Sequence, residues 1–105
     1  MVTRDDLIRR PILRSTTKAK IEANAKKTAD GDFTDPNTGT VIRREGPLHY
    51  GHKPGYEYRC RRAKALAEGW TYQEWLDDYN DPANYQIEDP ASNLSHQYES
   101  NVCAA

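Results

Sequence analysis

The sequence is poor in what builds a large dry interior. Of its 105 residues only 36% are hydrophobic, and a mean hydropathy of −1.00 leaves much of the chain in water. No apolar run approaches the roughly 20 residues of a membrane span. The stretch Met1–Arg14 also lacks the apolar core of a signal peptide. Internal repeats and low-complexity segments are missing. Cysteine is scarce: Cys60 and Cys103 stand far apart, fit no metal or redox spacing, and predict free thiols in a reducing compartment. Aromatics are the counterweight. They make up 10% of the chain, mostly tyrosine, and supply large bodies with polar tips that a disordered tail would not carry. The length fits one domain, 1–105, with a modest core.

Positive charge is missing from residues 65–105, which hold eight acids and neither Lys nor Arg, a balance of −8. Residues 1–64 hold all fifteen basic residues against eight acids, a balance of +7 that the net charge of −1 conceals. Such a division suits a basic face for a polyanion beside an acidic half for metal or a basic partner. It equally suits two halves that neutralise each other on folding.

Residues 1–14 read as an irregular arm or linker, interrupted by Pro11. Ser15, Thr16 and Thr17 are good N-caps for a helix over 16–29, stopped by Gly31. Asp35-Pro36-Asn37-Thr38-Gly39 is a turn signal between short extended pieces at 32–34 and 40–43. Residues 47–55 read as strand and turn, because Pro47 and Pro54 bar a helix. A helix over 56–68 should end at Gly69. Thr71 and Glu74 form a capping box for another over 72–79, burying Trp75 and Leu76. Residues 85–88 alternate like a strand. Ser92 or Asn93 then caps a last helix to about Ser100.

His52 lies in Gly51-His52-Lys53-Pro54-Gly55, where the glycines admit a ligand close to the backbone and Pro54 stiffens the loop. This suits a base held still yet open to water, although a lone turn histidine is usually a surface or packing residue. Asn93, His96 and Glu99 recur at three-residue spacing, as on one helix face. An amide oxygen, an imidazole and a carboxylate make a mixed N/O set for Mg²⁺, Mn²⁺, Zn²⁺ or Ni²⁺. The plainer reading is an N-cap asparagine followed by a polar helix. Base, insertion, strand and ligand helix come in the order of a ββα-metal site.

In that order the segment from Asp35 to Glu99 resembles the HNH/endonuclease VII superfamily, specifically the GH-E branch of toxin domains at the C-termini of bacterial polymorphic toxins. The resemblance rests on Asp35–Gly39, Gly51–Gly55 with Glu57, Asn84–Glu88, and Asn93 with Ser95, His96 and Glu99. It implies an α+β fold: a small ββα-metal (His-Me finger) core over 35–100 with additional helices. It implies that His52 is the general base, and that His96 with Asn93 or Glu99 binds one divalent metal ion. Asn84 resembles the residue that pins the loop between strand and helix. The aspartate expected three residues before the base is His49 here, which can still ligate metal or orient a neighbour. Glu57 and Glu88 belong to the pattern without an assigned contact.

The chemistry so implied is metal-dependent hydrolysis of phosphodiester bonds, of DNA before RNA. Arg59, Arg61, Arg62 and Lys64 follow the loop and are candidates for phosphate contacts, against the alternative of a solvated helix face. Such a domain would end a larger secreted or injected toxin, act in the target-cell cytoplasm, and need a cognate immunity protein. The rival readings are a ribonuclease on the same fold and a non-catalytic nucleic-acid or protein-binding module.

Overall fold

The computed structural model describes residues 1–7, 9–42, 48–97, 99 and 102–104. The expectations placed on Arg43, Pro47 and Ser100 lie outside these residues. Among the described residues the helices are α1 (Ser15–Asn24), α2 (Tyr58–Glu68), α3 (Tyr72–Tyr79) and α4 (Pro90–Ser95). The strands are β1 (His49–His52) and β2 (Tyr85–Glu88), with 3-10 turns at Asp5–Leu7 and Pro82–Asn84. The strands pair antiparallel, His49 opposite Glu88 and His52 opposite Tyr85. This is the α+β architecture expected, a two-stranded ββα-type core with additional helices.

Local chemistry sets several boundaries. Thr71 and Glu74 close the capping box that starts α3. Gly69 adopts the left-handed conformation that ends α2 (φ 65°). Trp75 is fully buried, whereas Leu76 is only partly so. The first helix is shorter than its composition predicts. Ala25 turns extended, and Lys27 instead bridges to Phe33, with its ammonium donating to Glu22 O and Ala25 O. Its start is not capped by its own Ser or Thr. Buried Asn80, at the end of α3, accepts from Arg14 N (2.9 Å) through its side chain and from Thr17 Oγ1 (3.0 Å) through its carbonyl.

Two apolar clusters make up the core, one of them including residues of β2. One contains Val2, Leu7, Ala65 and Trp75; the other contains Ile21, Ile42, Tyr85 and Ile87. The 1–14 stretch is therefore irregular but not loose. Leu7 is fully buried and Val2 N donates to Trp70 O at 2.6 Å. Between the clusters runs a file of rings, Trp75–Tyr58–Tyr79–Tyr85–His52, at centroid spacings from 4.5 to 6.3 Å.

The cysteines are not free thiols. Cys60 of α2 and Cys103 form a disulfide across 43 residues, and Ala104 N donates to Gly55 O (2.8 Å) beside it. Their spacing matches no motif because the bond depends on the tail returning to α2. Closing a loop of this length stabilises by about 4 kcal/mol in the chain-entropy account. Reduction, or Cys103→Ser, should lower the thermal midpoint by roughly 15 °C or more. A native protein that titrates two thiols and melts alike with and without reductant would remove the bond.

Candidate active site

The strand register determines what faces α4. His49 and Gly51 of β1 share one face with Glu88 and Gln86 of β2, because cross-strand partners point the same way. Helix α4 packs on β1, and the Asn93 amide nitrogen lies 3.0 Å from His49 Nδ1, so the ring accepts there. A cleft of about 160 Å³ opens here, lined among others by Arg10, His52, Glu88, Asn93, His96 and Glu99. Gly51 forms its floor. A Cβ at that position would lie 1.5 Å from Glu88 Oε1 and 3.0 Å from Asn93 Oδ1. Only glycine leaves the Glu88 carboxylate its place.

His52 ends β1 against a wall of tyrosines. Its ring is tilted over Tyr85 at 4.5 Å and meets Tyr79 edge-on at 6.2 Å. Burial is the main cause that lowers its pKa to about 4, Arg10 lowers it further, and Glu57 and Asp78 oppose the shift. The ring is therefore neutral at pH 7. Glu57, the N-cap residue of α2, has its side chain buried and acts on His52 through charge.

Glu88 is only 6% exposed. Burial raises its pKa, while a hydrogen bond from Asn37 works against that shift. His96 and Glu99 do not continue the helix, contrary to the expectation of one helical face through 93, 96 and 99. The helix ends at Ser95, where Ser95 Oγ turns back to Ser92 O (3.1 Å) and His96 takes a left-handed conformation (φ 57°). The following turn, Glu99 N to His96 O, brings the two side chains together, with Nδ1 3.2 Å from Oε2. They reach the cleft through a helix stop rather than helical periodicity.

The donors suit a hard or borderline divalent cation: two carboxylates, an imidazole and an amide oxygen. Among the described residues no three His, Cys, Asp or Glu side chains stand at coordinating distances. The chemistry fits. His96 and Glu99 are exposed, at 68% and 41%, and lie against each other rather than against Glu88.

The other expected residues divide. Asn84 is buried away from the cleft: its amide donates to Asp78 O (3.1 Å) and its carbonyl accepts from Lys53 N (2.9 Å), fastening the turn after β1 to the entry of β2. Arg61 is committed to a two-pronged pair with Asp78 (Nε–Oδ2 3.0 Å) and lies over the rings of Tyr56 and Trp70. Lys64 pairs with Glu68 at 2.7 Å, and Arg59 lies 3.9 Å from Glu57. Arg62 is exposed. Arg10 is the residue sequence reasoning missed. It reaches the cleft from the N-terminal stretch and stacks on Tyr58 at 4.6 Å, a placement for which the sequence carries no local signal.

A titration tests the His52 environment. Between about pH 4 and 6.5 the unfolded chain holds a proton on this ring that the folded chain refuses. Stability from this group is therefore complete above 6.5 and is lost as pH falls toward 4. NMR titration of the His52 ring should place its midpoint near 4. A midpoint near 6.5 would put that ring in water.

Comparison with known families supplies a match that covers the cleft residues from Tyr50 to Glu99. The GH-E profile, described as an HNH/ENDO VII superfamily nuclease with conserved GHE residues, matches residues 30–99. That span includes the 35–39 turn, both strands and α4. No solved structure matches the chain. With about two-thirds of its length matched, the chain belongs to the GH-E family of HNH/ENDO VII superfamily nucleases.

Proposed function

We propose that the protein is a metal-dependent endonuclease hydrolysing phosphodiester bonds, DNA in the first place, with His52 as general base. The observation that carries this reading is a neutral imidazole lining the same cleft as Glu88, Asn93, His96 and Glu99. Neutral His52 removes a proton from the attacking water. A conjugate acid near pH 4 makes a weak base in the empty site. An entering phosphodiester anion offsets the Arg10 charge and favours protonated His52, so basicity rises when substrate is present. Arg10, on the same cleft, faces the phosphate oxygens. Glu88, His96 and Glu99 with Asn93 are the residues that would hold a divalent cation, which would supply Lewis-acid stabilisation of the phosphoryl charge.

Flanking nucleotides would lie over the surface beside the cleft, where Arg62 and Arg59 are the exposed cations of α2. Contacts of that kind bind nucleic acid without reading its sequence. A nuclease of such breadth endangers the cell that makes it. We therefore place the domain at the end of a secreted or injected toxin acting in the target-cell cytoplasm. An acidic immunity protein would cover the His52 loop and the basic side of α2.

Cleavage of supercoiled plasmid and of tRNA, side by side with Mg²⁺ or Mn²⁺, tests the reading. His52→Ala should slow plasmid cleavage roughly 10²–10⁴-fold with Mn²⁺ affinity retained, whereas His96→Ala should lose both. Unchanged metal affinity in the His96 variant would remove it from the ligand set, and tRNA cleaved in preference to plasmid would reverse the substrate. Gly51→Ala should fold, because the clash is with the end of a flexible side chain. It should nevertheless lose most activity by displacing Glu88. Wild-type rates in this variant would take Glu88 out of the site.

A further inference from the structure

The turn at 35–39 lies outside the mechanism just derived, yet it is closely hydrogen-bonded to the cleft. Asp35 is completely buried. Its Oδ1 accepts from Asn37 N (2.7 Å) and Thr38 N (3.1 Å), closing an Asx-type turn. Its Oδ2 accepts from Asp89 N (2.7 Å), at the junction between β2 and α4. Three N–H donors compensate the desolvation of this carboxylate and fasten the turn to the residue after Glu88. From that anchored turn the Asn37 side-chain amide donates to Glu88 Oε2 at 2.7 Å. The other oxygen, Oε1, occupies the space above Gly51 that a Cβ would fill.

We propose that Asn37 is a positioning residue for Glu88: it holds one carboxylate oxygen so that the other stays fixed over Gly51, with buried Asp35 keeping the turn in place. This rests on the reading that Glu88 belongs to the nuclease site. The physical case is the geometry of constraint. A glutamate carries three side-chain torsions and, held from one side only, would sample several rotamers. The absence of a Cβ at Gly51 makes room for the carboxylate but does not hold it there. The amide of Asn37 supplies the missing direction. It supplies it from a segment fourteen residues before Gly51 in sequence, joined to β2 by the Asp35–Asp89 contact. Hydrogen-bond partners behind a metal-binding carboxylate are worth about 10- to 100-fold in metal affinity or activity when removed.

The test compares Asn37→Ala, Asn37→Asp, Glu88→Gln and the double variant Asn37→Ala/Glu88→Gln in the full chain. Calorimetric Mn²⁺ affinity, single-turnover plasmid cleavage and thermal melting are the readouts. Asn37→Ala should lower Mn²⁺ affinity and cleavage by about 10- to 100-fold. Its melting midpoint should stay within a few degrees of wild type, because the Asx turn uses the backbone of residue 37 rather than its side chain. Asn37→Asp keeps the size but replaces the donor with a second negative charge and should lose at least as much. In the Glu88→Gln background, Asn37→Ala should cost nothing further. Equal losses in both backgrounds, or a melting midpoint that falls with activity in both Asn37 variants, would make Asn37 a purely structural residue. Wild-type Mn²⁺ affinity and cleavage in both Asn37 variants, with Glu88→Gln inactive, would overturn the brace and leave the nuclease reading standing. An unimpaired Glu88→Gln would overturn the role of Glu88 itself, and the brace with it.

Discussion

The site depends on the register of two four-residue strands. With His49 opposite Glu88 and Gly51 opposite Gln86, one sheet face presents a glycine where the Glu88 carboxylate needs room. A slip of one residue would send Glu88 to the opposite face, the side of Tyr50 and His52, where a buried carboxylate would lack its amide partner, and would turn Tyr85 and Ile87 out of their apolar cluster. Two strands this short specify their register weakly by themselves. Contacts from elsewhere pin it: Asn84 O receives Lys53 N at one end, and Asp35 receives Asp89 N at the other.

The opposite face explains the state of His52. Tyrosine rings connect the two apolar clusters, and the last ring of the file is the imidazole. The tyrosines offer bulk to exclude water and hydroxyls that find partners of their own: Tyr58 donates to Leu7 O (2.6 Å) and Tyr85 to Tyr79 O (2.7 Å). A chain with few aliphatic residues thereby builds a water-poor wall. The same wall that stabilises the fold keeps the ring neutral.

The charge division described for the sequence resolves into pairings and a remainder. Arg61 of the basic half is spent on Asp78 of the acidic half, clasping α2 to α3, and Lys64 on Glu68. The Arg61–Asp78 pair is part-buried and ties two helices together, whereas Lys64–Glu68 is a more exposed pair within α2. Arg10 and Arg62 stay available to a polyanion, one at the cleft and one on the outer surface of α2. The opposing halves therefore meet in part across the helix pair, and Arg10 brings positive charge to the cleft.

By itself the sequence determined what depends on neighbouring residues. The capping box at Thr71, the stop at Gly69, the strand at Tyr85–Glu88 and the Gly-His loop are local: their backbone preferences and patterns are complete within a few residues. The motif order also carried the family. Tertiary structure decided whatever depends on chain segments meeting. It joined Cys60 to Cys103, brought Arg10 to the cleft, capped α1 with Asn80, and spent Arg61 on Asp78. It also replaced the expected helical face at 93, 96 and 99 with a left-handed stop at His96, leaving Glu88 with Asn37 behind it as the buried carboxylate of the site. Pairings across tens of residues leave no periodicity to read, because they are set by packing and by the need to satisfy buried polar groups once the chain has closed.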